Sequence, residues 1–250
     1  CILSFWGLYN RLVYMKIQGS EALLKSLTKE GVDTVFGYPG GAIMPIYDAL
    51  YRYMDKINHI LTRHEQGAIH AAQGYSRVSG KVGVCFATSG PGATNLITGI
   101  ADAQIDSTPI VCITGQVPSQ LLGTDAFQES DVIGISMPVT KWNYQITNSD
   151  EIPEIISKAF YIAKSGRPGP VLIDITKDAQ FSDVNFKYKK CEKIRSYHPY
   201  PIIDMDKVSK AAELINKSKK PMILVGQGVL LSNAENELIK FSEKSGIPMA

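Results

Sequence analysis

A repeated switch between two hydrophobic periods constrains this chain more than any other feature. Apolar residues at helical spacing (Ala22, Leu23, Leu27) give way after Gly31 to the short run VDTVFG, which ends in a glycine-rich turn. The switch recurs along the chain. MPIYDALYRYM reads as helix and INHILT as strand, EQGAIHAAQGYSRVSG as helix and KVGVCFATS as strand, GATNLITGIADAQID as helix and PIVCITG as strand. A polar, loop-like stretch through FQESD follows, then a strand near WNYQIT, a helix IPEIISKAFYIAKSG and a strand PVLIDIT. Near-continuous Val and Ile runs between helices predict strands buried on both faces, and therefore a parallel sheet with helices on each side. The expected first domain, residues 15–177, is a doubly wound α/β unit with a six-stranded parallel sheet.

Past Asp178 the segment FSDVNFKYKKCEKIRSYHPYP is charged and aromatic with no sustained period, so residues 178–203 are expected to form a linker. KVSKAAELINKS reads as helix, and PMILVGQGVLLSNAENELIKFSEKSGIPMA as strand, turn, helix and the start of another strand. Residues 204–250 thus open a second α/β domain. A strand and a half cannot bury its own apolar face, so this domain is expected to be truncated. Residues 1–14, CILSFWGLYNRLVY, lack a basic n-region and a small-residue cleavage site and are too short to span a bilayer of about 30 Å. They are expected to be an extension that adds nothing to the fold, ahead of a plausible start at Met15.

Lys plus Arg number 26 against 24 Asp plus Glu, so no global field favours nucleic acid or an anionic membrane surface, and a small-molecule partner is expected. Cys85 and Cys112 sit inside apolar runs, where Cys behaves as a small hydrophobe, which points to a reducing, cytoplasmic compartment. The His residues at 59, 64, 70 and 198 form no cluster with Cys, so no structural zinc is expected.

Ligands of open α/β sheets bind outside the carboxyl ends of strands, and TRHEQGAIH puts Glu65 just after a strand and at the start of a helix. A partly buried acid there could exchange a proton with a ligand nitrogen. A helix N-terminal Glu that complements the macrodipole is the plainer alternative. TSGPGATN places Gly90, Pro91 and Gly92 where backbone amides can approach a ligand, although it is neither a dinucleotide fingerprint nor a Walker sequence. GYPGGA, from Gly37 to Ala42, suits either a substrate-admitting loop or any tight turn. Phe127 and Gln128 could give a cleft an apolar wall and an amide. Lys141, Arg167 and Lys177 lie near strand or turn boundaries, where a cation could meet an anion or simply be solvated.

GYPGGA, RHEQGA, ATSGPGATN, GQVP, GTDAFQE, TKWNY and SGRPGPVLIDITKD stand in an order and spacing that resembles the large catalytic subunit of acetolactate synthases, from about Ser20 to the chain end. RHE, SGPG and RPGPV alone mark the wider thiamine-diphosphate enzyme superfamily, and GQVP with GTDAFQE and TKWNY narrows it. The resemblance implies a pyrimidine-binding first domain and a carboligase. Two pyruvates, or pyruvate and 2-oxobutyrate, would condense to a 2-acetohydroxy acid with loss of CO2, the first shared step of valine, leucine and isoleucine biosynthesis. It implies that Glu65 hydrogen-bonds the aminopyrimidine of thiamine diphosphate, that Pro39, Gly90 and Asn95 also face the cofactor, and that Arg167 contacts FAD. By the same resemblance Gly41 lines the entrance, Gln128 lies near the reacting centre and Lys177 near the substrate channel. Val117, Pro118, Ala126 and Phe127 would line the channel where herbicide-type inhibitors bind; Ser119 and Gln120 depart from the basic residues many members carry there.

The family holds Mg2+ and the diphosphate with a G-D-G motif and a downstream Asn in a C-terminal domain, which this sequence does not include, so no metal ligands are expected here and this chain alone is expected to be inactive. The resemblance further implies a homodimer or higher oligomer with the site between subunits, and a small regulatory subunit. Sister enzymes such as pyruvate oxidase or a sulfoacetaldehyde-type acetyltransferase are the near alternatives. A non-catalytic nucleotide-binding α/β protein, resting on the generic strand pattern and the GQG at 226–228, is the distant one.

Overall fold

The computed structural model describes residues 16–250, and the expectations for residues 1–14 and Met15 lie outside them. The chain forms two compact units, one ending at Pro199 and one spanning Tyr200–Ala250. The first follows the expected alternation: β1 (Lys16–Gln18), α1 (Gly19–Lys29), β2 (Thr34–Gly37), α2 (Met44–Tyr51), β3 (Asn58–Leu61), α3 (Glu65–Ser79) and β4 (Gly83–Ala87). The single helix expected next is two, α4 (Pro91–Thr94) and α5 (Ile97–Ile105), with Asn95 at their junction. Then come β5 (Ile110–Gln116), α6 (Val132–Ser136), β6 (Trp142–Ile146), α7 (Ile152–Lys164) and β7 (Pro170–Thr176).

Strands β2 to β7 make one six-stranded sheet in the order β3-β2-β4-β5-β7-β6, and every pairing is parallel. Their near-continuous apolar runs arise because successive side chains enter different cores. On β4, Val84 and Phe86 join a core under α1, α2 and α7, whereas Cys85 and Ala87 join one under α3 and α5; β5 divides the same way, Val111 and Ile113 against Ile110 and Cys112. Each fully buried Val, Ile or Phe in these layers contributes roughly 1.5–3 kcal/mol. The thiols of Cys85 and Cys112, directly paired across β4 and β5, are free and buried.

The chain leaves β2 outward to β3 and returns to place β4 on the other side of β2. The strand order therefore reverses at β2 and β4, and the carboxyl ends of these two strands are the position at which doubly wound sheets bind ligands.

The expected linker is instead largely part of the first unit. Its residues form α8 (Lys177–Phe181) and β8 (Asp183–Asn185), and β8 pairs antiparallel with β1. Val184 is buried, Phe186 packs against the core, the Tyr188 hydroxyl donates to Glu30 and the Tyr197 hydroxyl to the Ser165 carbonyl. A strand of three residues is too short to show a period in the sequence, and tyrosines bound by their hydroxyls leave no periodic signal.

The second unit contains α9 (Met205–Lys217), α10 (Gly228–Leu231) and α11 (Glu235–Ser245). Its expected first strand is reduced to a parallel bridge between Ile223 and Met249. So little sheet leaves Leu214, Leu224 and Leu230 exposed. The GQG turn simply precedes the short α10. No helix among the described residues is long and apolar enough to cross a membrane.

Candidate functional site at the strand carboxyl ends

After β3 the chain stays extended through His64, whose Nδ1 accepts from the Gln66 amide at 3.1 Å and caps α3, so that Glu65 opens the helix. Its carboxylate, 7% exposed, therefore lies in the favourable field of the helix N-terminus and also near the reversal of strand order. Glu65 Oε2 accepts from Asn95 Nδ2 at 2.9 Å, while Oε1 lies over Gly92, where an added Cβ would come within 3.2 Å of it.

The loop after β2 is stapled to the end of β4. The Ala42 amide donates to Thr88 Oγ1 at 3.2 Å, and Gly40 packs so closely that a Cβ would lie 2.5 Å from the Thr88 side chain. Gly41 beside it faces open space, and Pro39 precedes the pair. Beneath this loop the Tyr47 hydroxyl is buried without a hydrogen-bond partner among the described residues, and burial, with Cys85 and Glu65 nearby, pushes the phenol well above its usual range. An orphaned buried hydroxyl beside a buried carboxylate is unusual in a purely structural core.

Gly90 has φ +58° and ψ −120°, and a Cβ there would lie 2.6 Å from the carbonyl oxygen of Gln128. The loop after β5 thus reaches across to the loop after β4. Within it Asp125 and Gln128 both hold left-handed backbone, at φ +54° and +57°. The Glu129 carboxylate gathers the amides of Gly123, Thr124 and Ala126 at 2.5, 3.2 and 3.3 Å, and those donors hold it below the usual carboxylate range. Phe127 is left 87% exposed, with Gln128 exposed beside it and Ala126 half-buried; Val117 is buried and Pro118 half-buried at the start of the loop.

Lys177 begins α8 at the carboxyl end of β7, on the same side of the sheet. Arg167 and Lys141 do not join this group, because they precede β7 and β6 and so lie at the opposite end. Arg167 donates through Nε to Ser107 Oγ at 2.8 Å and through Nη2 to the carbonyls of Gln104 and Ile105 at 3.2 and 2.9 Å, closing the end of α5. Lys141 Nζ closes α7 by donating to the Ile162 and Ser165 carbonyls. Among the described residues no group of three His, Cys, Asp or Glu could hold a metal ion.

Residues 17–135 match the profile of the thiamine pyrophosphate enzyme N-terminal TPP binding domain, and residues 208–250 that of the thiamine pyrophosphate enzyme central domain. The chain belongs to the thiamine pyrophosphate enzyme family. Within the family it is similar to the acetolactate synthase large subunit of Corynebacterium glutamicum, 51% identical over 234 residues, which are 94% of this chain and 37% of that protein. A probable acetolactate synthase large subunit of Methanocaldococcus jannaschii is 51% identical over 236 residues, 93% of this chain and 40% of the relative. An acetolactate synthase of Mycobacterium bovis is 49% identical over 234 residues, 94% and 38%. The chain spans about two fifths of the length of these relatives.

Four further side chains near the carboxyl ends of the strands were not singled out from the sequence: Thr88, Tyr47, Gln116 and Asp174. For two of them a signal existed. Gln116 and Asp174 interrupt the apolar strands PIVCITGQ and PVLIDIT, and a polar residue inside a two-face-buried strand needs a partner.

Proposed function

We propose that the complete protein is a thiamine-diphosphate-dependent carboligase that forms a 2-acetohydroxy acid from two pyruvates, or from pyruvate and 2-oxobutyrate, with loss of CO2. The observation that carries this reading is the buried Glu65 carboxylate at the reversal of strand order, one oxygen held by Asn95 and the other turned toward the Gly92 backbone. A carboxylate oxygen that takes no hydrogen bond from the described residues, on an otherwise buried side chain, fits a ring nitrogen of an aminopyrimidine. Bound thiamine diphosphate supplies the electron sink for decarboxylation and for transfer of the two-carbon unit.

In this reading Glu65 Oε1 holds and exchanges the proton at the pyrimidine nitrogen, and Asn95 keeps the carboxylate from turning away. Pro39 and Gly90 would face the pyrimidine, Gly90 without a side chain, and Gly41 leaves the entrance open. Gln128 offers its amide to the reacting carbonyl, Lys177 attracts the 2-oxo acid carboxylate, and Val117, Pro118, Ala126 and Phe127 form an apolar wall that excludes water. Mg2+ and the diphosphate are held by residues beyond this chain. Arg167, whose Nε and Nη2 are engaged at the end of α5, is the residue that would hold FAD. The protein is cytoplasmic, works as a homodimer or higher oligomer and accepts a small regulatory subunit.

The test is acetolactate formation from pyruvate by the complete protein, with thiamine diphosphate and Mg2+ present or withheld and FAD added separately. Acetolactate formation that requires thiamine diphosphate is expected. Pyruvate consumption that yields acetyl phosphate or acetaldehyde instead would move the protein to a sister activity.

A further inference from the structure

Asp174 sits on β7, fully buried, with no cation beside it. Its Oδ1 accepts from Thr114 Oγ1 at 2.5 Å, and its Oδ2 accepts from Gln116 Nε2 at 3.1 Å and from Gln145 Nε2 at 2.9 Å. None of these groups is needed by the proposed chemistry. A buried carboxylate satisfied only by neutral donors is costly compared with the Val or Ile of the same strand, so its retention calls for a role.

The role follows from what Gln116 does with the rest of its amide. Nε2 also donates to the Ser130 carbonyl at 3.1 Å, and Oε1 accepts from the Val117 amide at 2.9 Å. One side chain thus closes both ends of the loop 117–130. A primary amide can sit in either of two flipped orientations, and only one donates to Ser130 and accepts from Val117. The Asp174 carboxylate carries no hydrogen, so it accepts only the NH2 side and excludes the flip. A second anchor ties Ser119 to Asp178: amide and hydroxyl donate at 2.9 and 2.6 Å, and although burial draws the Asp178 carboxyl upward these donors hold it low. It leaves the Ser130 end of the loop to Gln116.

We infer that Gln116, oriented by Asp174, is the positioning residue that sets the loop 117–130 over Gly90 and thereby fixes the wall formed by Ala126, Phe127 and Gln128. This rests on the reading, given above, that the loop lines the substrate channel. Neither residue touches substrate. With the clamp open, the loop that carries the left-handed Gln128 loses its tie at the Ser130 end and keeps only Ser119–Asp178 and the bonds of Glu129 within the loop.

The test uses the complete protein with Gln116→Met, which keeps length and removes all of these bonds, and with Asp174→Asn, which keeps volume and relaxes the choice of flip. Hydrogen exchange by mass spectrometry reads the loop directly and needs no assumption about activity. Gln116→Met is expected to speed exchange of peptides covering 117–130 by about tenfold while peptides of β4 and β7 stay unchanged; Asp174→Asn is expected to do the same to a smaller extent. In acetolactate formation the KM for pyruvate should rise several-fold with little loss of kcat and with the thiamine diphosphate requirement unaltered. Unchanged loop exchange in Gln116→Met, or in Asp174→Asn if the first variant does not fold, overturns the positioning role. A loosened loop with an unchanged KM upholds the clamp and rejects the loop as channel wall.

Discussion

The two ends of the parallel sheet are built on opposite principles. At the amino ends of the strands nearly every charge is matched: Lys81 and Tyr75 bind Asp33, Arg77 binds Asp106, Lys164 reaches Glu30, and Lys141 and Arg167 close the ends of α7 and α5. At the carboxyl ends the opposite holds. Among the described residues Glu65 and Asp174 are buried carboxylates without cations, the hydroxyls of Tyr47 and Ser130 are buried without partners, and Asp125 and Gln128 hold left-handed backbone. The amino end is closed by matched charges, although Ser107 holds φ +55° there, Gln104 Oε1 is buried without a partner among the described residues, and a cavity of about 350 Å³ lies beside Asp33, Tyr75 and Lys81. The other is left with unmet hydrogen-bonding capacity and stored backbone strain, which is where a ligand can be bound and acted upon.

Glu65→Gln should separate the two ends most sharply. In the complete protein it is expected to lower acetolactate formation by about 10²–10⁴-fold with the thermal midpoint nearly unchanged, since Gln still accepts from Asn95. Near-normal turnover would erase the distinction.

Next in size is an opposite response to pH. Burial pushes the Asp174 carboxyl up from 3.8 to about 6 against the pull of Thr114, Gln145 and Gln116, with Asp131 adding repulsion. The folded state then holds this proton more tightly than the unfolded state, so the stability it contributes is full below 3.8 and is lost as pH rises through about 6. Denaturant titrations at a series of pH values should show wild type losing about 3 kcal/mol relative to Asp174→Asn across that window. Asp33, held at about 2 by Lys81 and Tyr75, has the reverse sign: its contribution is present above 3.8 and lost as pH falls toward 2. The same titrations on Asp33→Asn should show a smaller effect confined to acid.

Gly90→Ala tests the strained turn. The added Cβ meets the Gln128 carbonyl at 2.6 Å on a backbone at φ +58°, so a loss of about 1–3 kcal/mol is expected by chemical denaturation. The smallest effect belongs to the amino end. Arg77→Ala removes a half-exposed pair with Asp106 and is expected to lower stability by about 0.2–1 kcal/mol without altering kcat.

The sheet was legible because two-face burial writes itself as unbroken Val and Ile, and the strand-end position of Glu65 followed from the same pattern. What stayed hidden had no period. β1 and β8 are three residues each, and α6, five residues long, begins only after the stretch through FQESD that reads as polar loop. The Asn95 bond to Glu65 joins residues 30 apart, and the Gln116 bond to Asp174 residues 58 apart, so neither leaves a local trace. Arg167 and Lys177 lie close in sequence, yet β7 carries them to opposite ends of the sheet.

The most direct measurement is hydrogen exchange of the complete protein, free of FAD, with and without thiamine diphosphate and Mg2+. Protection of peptides covering 37–42, 62–68 and 88–96, with no change in those covering 77–82 and 105–109, is expected. Protection at the amino ends instead, or none in these carboxyl-end loops, would contradict the assignment of the site.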